Sequence, residues 1–215
     1  MKKVAISIHA KEDFNLGILK GLKDFDYFHI DVMDGQFVEP INLNLNVFKV
    51  LRNHFDIPII AHLKVENPIR FIDKFINYIE YFVFHYDFND DLKTVIENVR
   101  EHATMVGIAI NPPTAISKII SYLNSIDLVL VMMVNPGYSG QGFMPEVVNK
   151  INRLVEYKKE FKFDIDVDGG INLKNAKILK NADILSSAST FLTAKKPNRV
   201  IQSLMNSDRN YLNNS

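Results

Sequence analysis

The chain contains no cysteine in its 215 residues. Disulfides and thiolate ligands are therefore excluded, and any metal site must be built from nitrogen and oxygen. A bias in charge is missing as well, since 25 Lys plus Arg stand against 25 Asp plus Glu. A nucleic-acid partner, which requires a broad positive field, is not expected, and any phosphate bound is small and held locally. Long apolar runs are also absent. Met1-Lys2-Lys3 opens as a signal peptide does, but the apolar stretch Val4-Ala5-Ile6 stops at Ser7 and acidic residues soon follow. Neither a leader nor a membrane span is expected, and the chain reads as a cytoplasmic protein.

Glycine is missing where one common fold needs it. An open doubly wound sheet wants a glycine-rich fingerprint after its first strand. Here that position reads Ser7-Ile8-His9-Ala10-Lys11-Glu12. What is present is a repeat of short apolar runs alternating with segments whose hydrophobic residues fall three and four apart, the pattern of βα units. Strands are expected near 3–8, 27–33, 58–64, 80–86, 104–110, 127–134, 163–168 and 182–187. The helix between the third and fourth carries Ile69, Phe71, Ile72, Phe75, Ile76 and Ile79 on one stripe after Asn67-Pro68. Ile116, Ile119, Ile120 and Leu123 form another stripe after the fifth strand. With 47% hydrophobic and 23% charged residues, the chain suits one domain over 1–215, with a polar tail after about residue 206. Eight units leave roughly 27 residues each, which fits a closed single-domain (β/α)8 TIM barrel.

Alternation along a strand aims every second side chain at one face. In His29-Ile30-Asp31 and Ala61-His62 this puts His29, Asp31 and His62 within reach of one metal ion. Asp168, at the end of Asp164-Ile165-Asp166-Val167-Asp168-Gly169-Gly170, adds a second carboxylate. Two imidazoles and two carboxylates suit zinc or another divalent first-row metal such as iron or manganese. All four lie at the carboxyl ends of expected strands, where barrels of this class place their chemistry. Backbone amides near Gly137, Gly140, Gly169 and Gly170 are expected to hold a phosphate, because glycine lets the chain turn its N–H groups toward an anion.

The segments His29–Phe37 (HIDVMDGQF), Gly107–Pro112 (GIAINP), Val129–Phe143 (VLVMMVNPGYSGQGF) and Ile165–Ile171 (IDVDGGI) resemble the ribulose-phosphate 3-epimerase family, in the family's order and over nearly the whole chain. The resemblance implies a ribulose-phosphate-binding type of barrel that inverts C3 of a ketose phosphate. It implies that His29, Asp31, His62 and Asp168 hold one divalent metal (Zn, Fe, Mn or Co), with Asp31 and Asp168 also the acid and base. Two bases suit an inversion, since a proton leaves one face of C3 and another arrives on the opposite face. Ser7 matches a substrate-contacting serine. Met33 and Met132 match methionines around the enediolate, where an apolar wall excludes water. His85 matches a family histidine whose role is left open. A homo-oligomer, dimer or hexamer, is expected on the same ground.

The chain departs from the family at the substrate end. Lys64 stands where methionine is usual, on the same face as His62, and a cation there repels a divalent ion unless an acidic neighbour or substrate anion offsets it or the lysine loses its proton. The alternatives are that it binds a substrate oxygen or that its stem carries the ammonium to solvent. Ser186-Ser187-Ala188-Ser189 replaces the glycine-serine phosphate loop, one residue shorter, with Ser187 in the glycine's place and Ala188 beside it. His9, Pro113 and Ser139 are further changes at the mouth. The expected activity is metal-dependent interconversion of D-ribulose 5-phosphate and D-xylulose 5-phosphate. The alternatives are a paralogue for a longer ketose phosphate, such as D-allulose 6-phosphate, and a non-catalytic sugar-phosphate-binding protein.

Overall fold

In the computed structural model, residues 1–88, 91–137 and 141–208 are described. Eight parallel strands close into a barrel: β1 (Lys3–His9), β2 (Tyr27–Asp34), β4 (Ile59–Lys64), β5 (Tyr81–His85), β6 (Met105–Ile110), β7 (Leu128–Met132), β8 (Asp164–Asp168) and β9 (Ile184–Ser187). Pairing of β1 with both β2 and β9 closes the ring. The strands are rich in Ile, Val, Leu and Phe because both of their faces are covered. A two-residue strand, β3 (Ile41–Asn42), runs antiparallel to the end of β2 and pairs Met33 with Asn42. It is too short to leave a periodic signal.

Helices α1 (Asn46–His54), α3 (Leu92–Glu101), α4 (Val148–Tyr157) and α6 (Pro197–Met205) lay their apolar stripes on the outside of the barrel, and the single turn α5 (Ser189–Leu192) follows β9. α3 begins at Asp91, whose carboxylate accepts from the backbone N–H groups of Lys93 and Thr94, a regular N-cap. The expected helix after β4 is broken into 3-10 turns on either side of α2 (Ile72–Phe75), although Phe71, Ile72, Phe75, Ile76 and Ile79 are buried as the stripe requires. The Ile116 to Leu123 stripe is likewise built of 3-10 turns, as are the connections after β1 and β8. An i,i+3 repeat serves a 3-10 turn as well as an α-helix in short pieces, so the stripes locate the buried face without choosing the helix type. Of the tail expected after about residue 206, Ser207 and Asp208 are described. Ser207 is buried, and the Asp208 carboxylate lies 3.2 Å from Lys2 Nζ; residues 209–215 lie outside the described residues. No described helix is long and apolar enough to cross a membrane.

The barrel interior is layered. Lys3 donates to Asp164 at the amino end. A middle layer of Ala5, Ile60, Val83, Leu128, Leu130 and Ile184 forms a dry plug. Above it, at the carboxyl ends, the interior turns polar. Gly107 sits in the plug, where an added Cβ would lie 2.8 Å from Val83 Cγ2 and 3.1 Å from Leu128 Cδ2. Gly107→Ala is expected to destabilise the protein by about 1–3 kcal/mol through overpacking, read as a lower midpoint in thermal or urea unfolding. An unchanged midpoint would show that the plug repacks freely.

Candidate active site

Register brings the polar layer together. Asp31 pairs with His62, Met33 with Lys64, and Ser7 with His29 on adjacent strands, while Asp168 lies beside Met132 and Ser186. As a result the four ligand-type residues read from the sequence, His29, Asp31, His62 and Asp168, converge, each offering one ligand atom within 4.8 Å of the others. His62 Nδ1 lies 2.9 Å from Asp31 Oδ1 and 3.0 Å from His29 Nε2. The distances from His29 Nε2 to Asp31 Oδ1 and Asp168 Oδ2 are 3.5 and 3.9 Å.

Each imidazole is steadied from behind. Ser186 Oγ lies 3.0 Å from His29 Nδ1 and donates to Asp166, whose Oδ2 is 3.5 Å from the same nitrogen. His85 Nε2 lies 2.9 Å from His62 Nε2, which gives His85 the place the sequence leaves open. Asp166 and Ser186 are not singled out by sequence reading. The signal for Asp166 is the alternation that also marks Asp168, whereas Ser186 becomes legible only when β9 closes beside β8.

Lys64 is 4% exposed and does not reach solvent. Its Nζ lies 2.7 Å from Asp31 Oδ1 and 3.7 Å from Asp168 Oδ2. The solvent alternative therefore fails, and the acidic-neighbour alternative holds. Burial alone would raise the Asp31 carboxyl, but the Lys64 ammonium, helped by His29 and His62, holds it well below the usual carboxylate range. Burial and then the neighbouring Asp31 charge push Asp168 up, so the two carboxyls are unequal. Burial and the Lys64 charge bring His62 down to about 3, leaving it neutral, as a metal ligand must be. Burial opposes charge on His29, yet Asp166 and Asp31 prevail and push it up to about 10, so a metal ion bound there displaces a proton from this ring.

The donor set fits a divalent ion. Two imidazole nitrogens and two carboxylate oxygens converge, the outward ring nitrogens meet Asp166, Ser186 and His85, and Asp31 Oδ1 is buried without a hydrogen bond of good geometry. The cluster can therefore bind a metal ion.

Asp31, Asp168 and Lys64 open onto a cavity of about 620 Å³ above the cluster. Ser7, Met33 and Met132 form its floor and inner wall, and Gly137, Gly169, Gly170, Ser187 and Ala188 bound its far side. Ser139 and Gly140 lie outside the described residues. Gly169 has φ +114°, and a Cβ there would meet Val134 Cγ2 at 2.6 Å, so only glycine fits. Gly137 and Gly170 also adopt positive φ. Ser187 Oγ donates to the Ile171 carbonyl, as does Thr190 Oγ1. That leaves the Ser187 backbone rather than its hydroxyl to face a ligand. His9 joins the wall with its Nε2 3.6 Å from Asp31 Oδ2, and Asn42 Nδ2 lies 3.4 Å from His9 Nδ1 and 3.2 Å from Met33 Sδ.

The fold and the site define a (β/α)8-barrel enzyme with a buried metal-competent cluster beneath a cavity at the strand carboxyl ends. Residues 3–192 match the Ribulose-phosphate 3 epimerase family. The ribulose-phosphate 3-epimerase of Schizosaccharomyces pombe is 35% identical over 188 residues, covering 85% of this chain and 82% of that protein. That of Bacillus subtilis is 34% identical over 191 residues, covering 85% and 87%. Among solved structures, KGPDC from Streptococcus mutans superposes with a TM-score of 0.72 at 13% identity, covering 98% of both chains, a likeness of fold. The chain belongs to the ribulose-phosphate 3-epimerase family. It is an isomerase acting on carbohydrates, a ketose-phosphate 3-epimerase. The non-catalytic reading is thereby set aside.

Proposed function

We propose that the enzyme interconverts D-ribulose 5-phosphate and D-xylulose 5-phosphate by proton transfer between two carboxyls at C3. The observation that carries this reading is the pair Asp31 and Asp168, both opening onto the cavity where the four ligand-type residues converge. An inversion needs two such groups, one to take a proton and one to give one. Asp31 takes the C3 proton from one face, and the electrons of that C–H bond form the C2–C3 double bond while the π pair of the C2 carbonyl moves onto its oxygen, giving an enediolate. Asp168 then gives a proton to the opposite face as the carbonyl re-forms, and in the reverse direction the two exchange roles. His29, Asp31, His62 and Asp168 would hold a divalent ion of zinc, iron, manganese or cobalt, which would supply positive charge to polarise the C2 carbonyl. Met33 and Met132 keep bulk water from the enediolate. Ser7 and Lys64 contact substrate oxygens, and backbone amides of Gly137, Gly169, Gly170, Ser187 and Ala188 receive the phosphate.

The cavity also favours a second substrate class. Lys11, Asp13, Asn15 and Thr193 are among its lining, polar groups that offer further partners to a longer ketose phosphate. The test is deuterium uptake at C3 from D2O, run on metal-loaded protein with ribulose 5-phosphate and with six- and seven-carbon ketose phosphates. Fastest uptake into ribulose 5-phosphate is expected. Faster uptake into a longer phosphate would replace the substrate assignment, and no uptake into any of them would sink the two-carboxyl scheme.

A further inference from the structure

The ammonium of Lys64 and the imidazoles of His29 and His62 converge on the same two oxygen atoms. Asp31 Oδ1 faces Lys64 Nζ at 2.7 Å and His62 Nδ1 at 2.9 Å. Asp168 Oδ2 faces them at 3.7 and 3.8 Å. Lys64 cannot be a bystander in this arrangement. It stands at the end of β4, two residues beyond His62, and is as deeply buried as the ligands themselves. Two adjacent buried carboxylates need positive charge, and here the chain supplies it from within. An ammonium and a divalent ion on one carboxylate oxygen repel each other strongly where water is excluded.

We propose that Lys64 is an intramolecular counter-cation that competes with the divalent metal for Asp31 and Asp168. The metal-free site is then a closed ion pair, and loading obliges the ammonium to leave Asp31 for the cavity that Lys64 itself lines. Its flexible four-carbon stem permits the move, since Lys64 already lines the cavity and only side-chain rotation is required. The exchange weakens metal binding, because each loading event must break an existing pair. It also makes one residue serve two states: Lys64 neutralises the carboxylates before loading and faces the anionic substrate afterwards. The inference rests on the reading that His29, Asp31, His62 and Asp168 hold a metal.

The test is the affinity for Zn²⁺ or Mn²⁺ alone, measured by competition with a chromophoric chelator, for the wild-type protein and for Lys64→Met and Lys64→Gln. Binding at least tenfold tighter in the neutral variants is expected. Equal or weaker binding in them, with metal still taken up by the wild type, overturns the competition and leaves the metal reading intact. Failure of every form to take up either ion overturns the metal reading, and this inference with it. A measurement independent of the variants uses the wild type, whose buried, ion-paired Lys64 Nζ is expected to give a slowly exchanging signal in nitrogen-edited NMR. That signal is expected to shift on addition of one equivalent of Zn²⁺. An unmoved signal at full zinc occupancy would mean that the ammonium keeps its partner, which overturns the proposal.

Discussion

Asp168→Asn is expected to lower the rate of epimerisation by about 10³-fold or more, the loss that follows when a positioned acid–base group is removed. The amide keeps the volume of the side chain and an oxygen toward the cluster, so the fold and part of the metal affinity survive. Asp31 is untouched. The variant should therefore still exchange the C3 proton of one epimer with D2O while failing to convert it into the other. This half-reaction separates a lost proton donor from a lost metal ligand, because loss of the metal would silence exchange in both epimers together. Measuring deuterium uptake separately in each purified epimer, with metal content determined on the same sample, decides the matter. Conversion at the wild-type rate would remove Asp168 from the chemistry altogether.

Removal of the metal is the second large effect. Protein stripped by a chelator is expected to lose turnover by at least about 10³-fold, since the Lys64 ammonium carries one charge, paired with Asp31, where a divalent ion brings two. Addition of zinc, iron, manganese or cobalt should restore it, and the metal giving the fastest recovery at equal occupancy indicates the native preference. The stripped protein should remain folded, because Lys64 already lies 2.7 Å from Asp31 and leaves no bare charge in the interior. Circular dichroism and thermal unfolding on the stripped and restored samples check that half of the expectation. Full turnover in protein shown by elemental analysis to be metal-free would refute the assignment of the cluster.

Strands are legible in the sequence because a strand covered on both faces is a nearly unbroken apolar run, as in Phe28-His29-Ile30-Asp31-Val32, where polar residues intrude only on the inner face. The exceptions are themselves informative. An imidazole or carboxylate placed on the inner face of an apolar strand is costly unless it has partners, and so His29, Asp31, His62 and Asp168 stand out from the sequence alone. Their partners do not. Asp166 and Ser186 meet His29 only when β9, paired with β8, closes against β1 beside β2, a consequence of ring closure that no local pattern carries. For Lys64 the direction follows from alternation, but its destination does not, because a long stem leaves both solvent and carboxylate within reach. The helices differ from expectation in kind rather than in place. Ile116, Ile119 and Leu123 are buried as their spacing requires, on turns too short to hold an α-helical ladder.

The layering of the barrel divides the labour between two kinds of backbone. Every group assigned to proton transfer or metal binding stands on β2, β4 or β8, held in place by hydrogen-bonded neighbours on both sides. The glycines assigned to the phosphate, by contrast, all stand beyond the strand ends. Evolution can therefore redraw the phosphate rim of this cavity, as Ser187 and Ala188 at the end of β9 illustrate, without moving the reacting groups. A lineage built this way can change its grip on the phosphate while keeping its reaction.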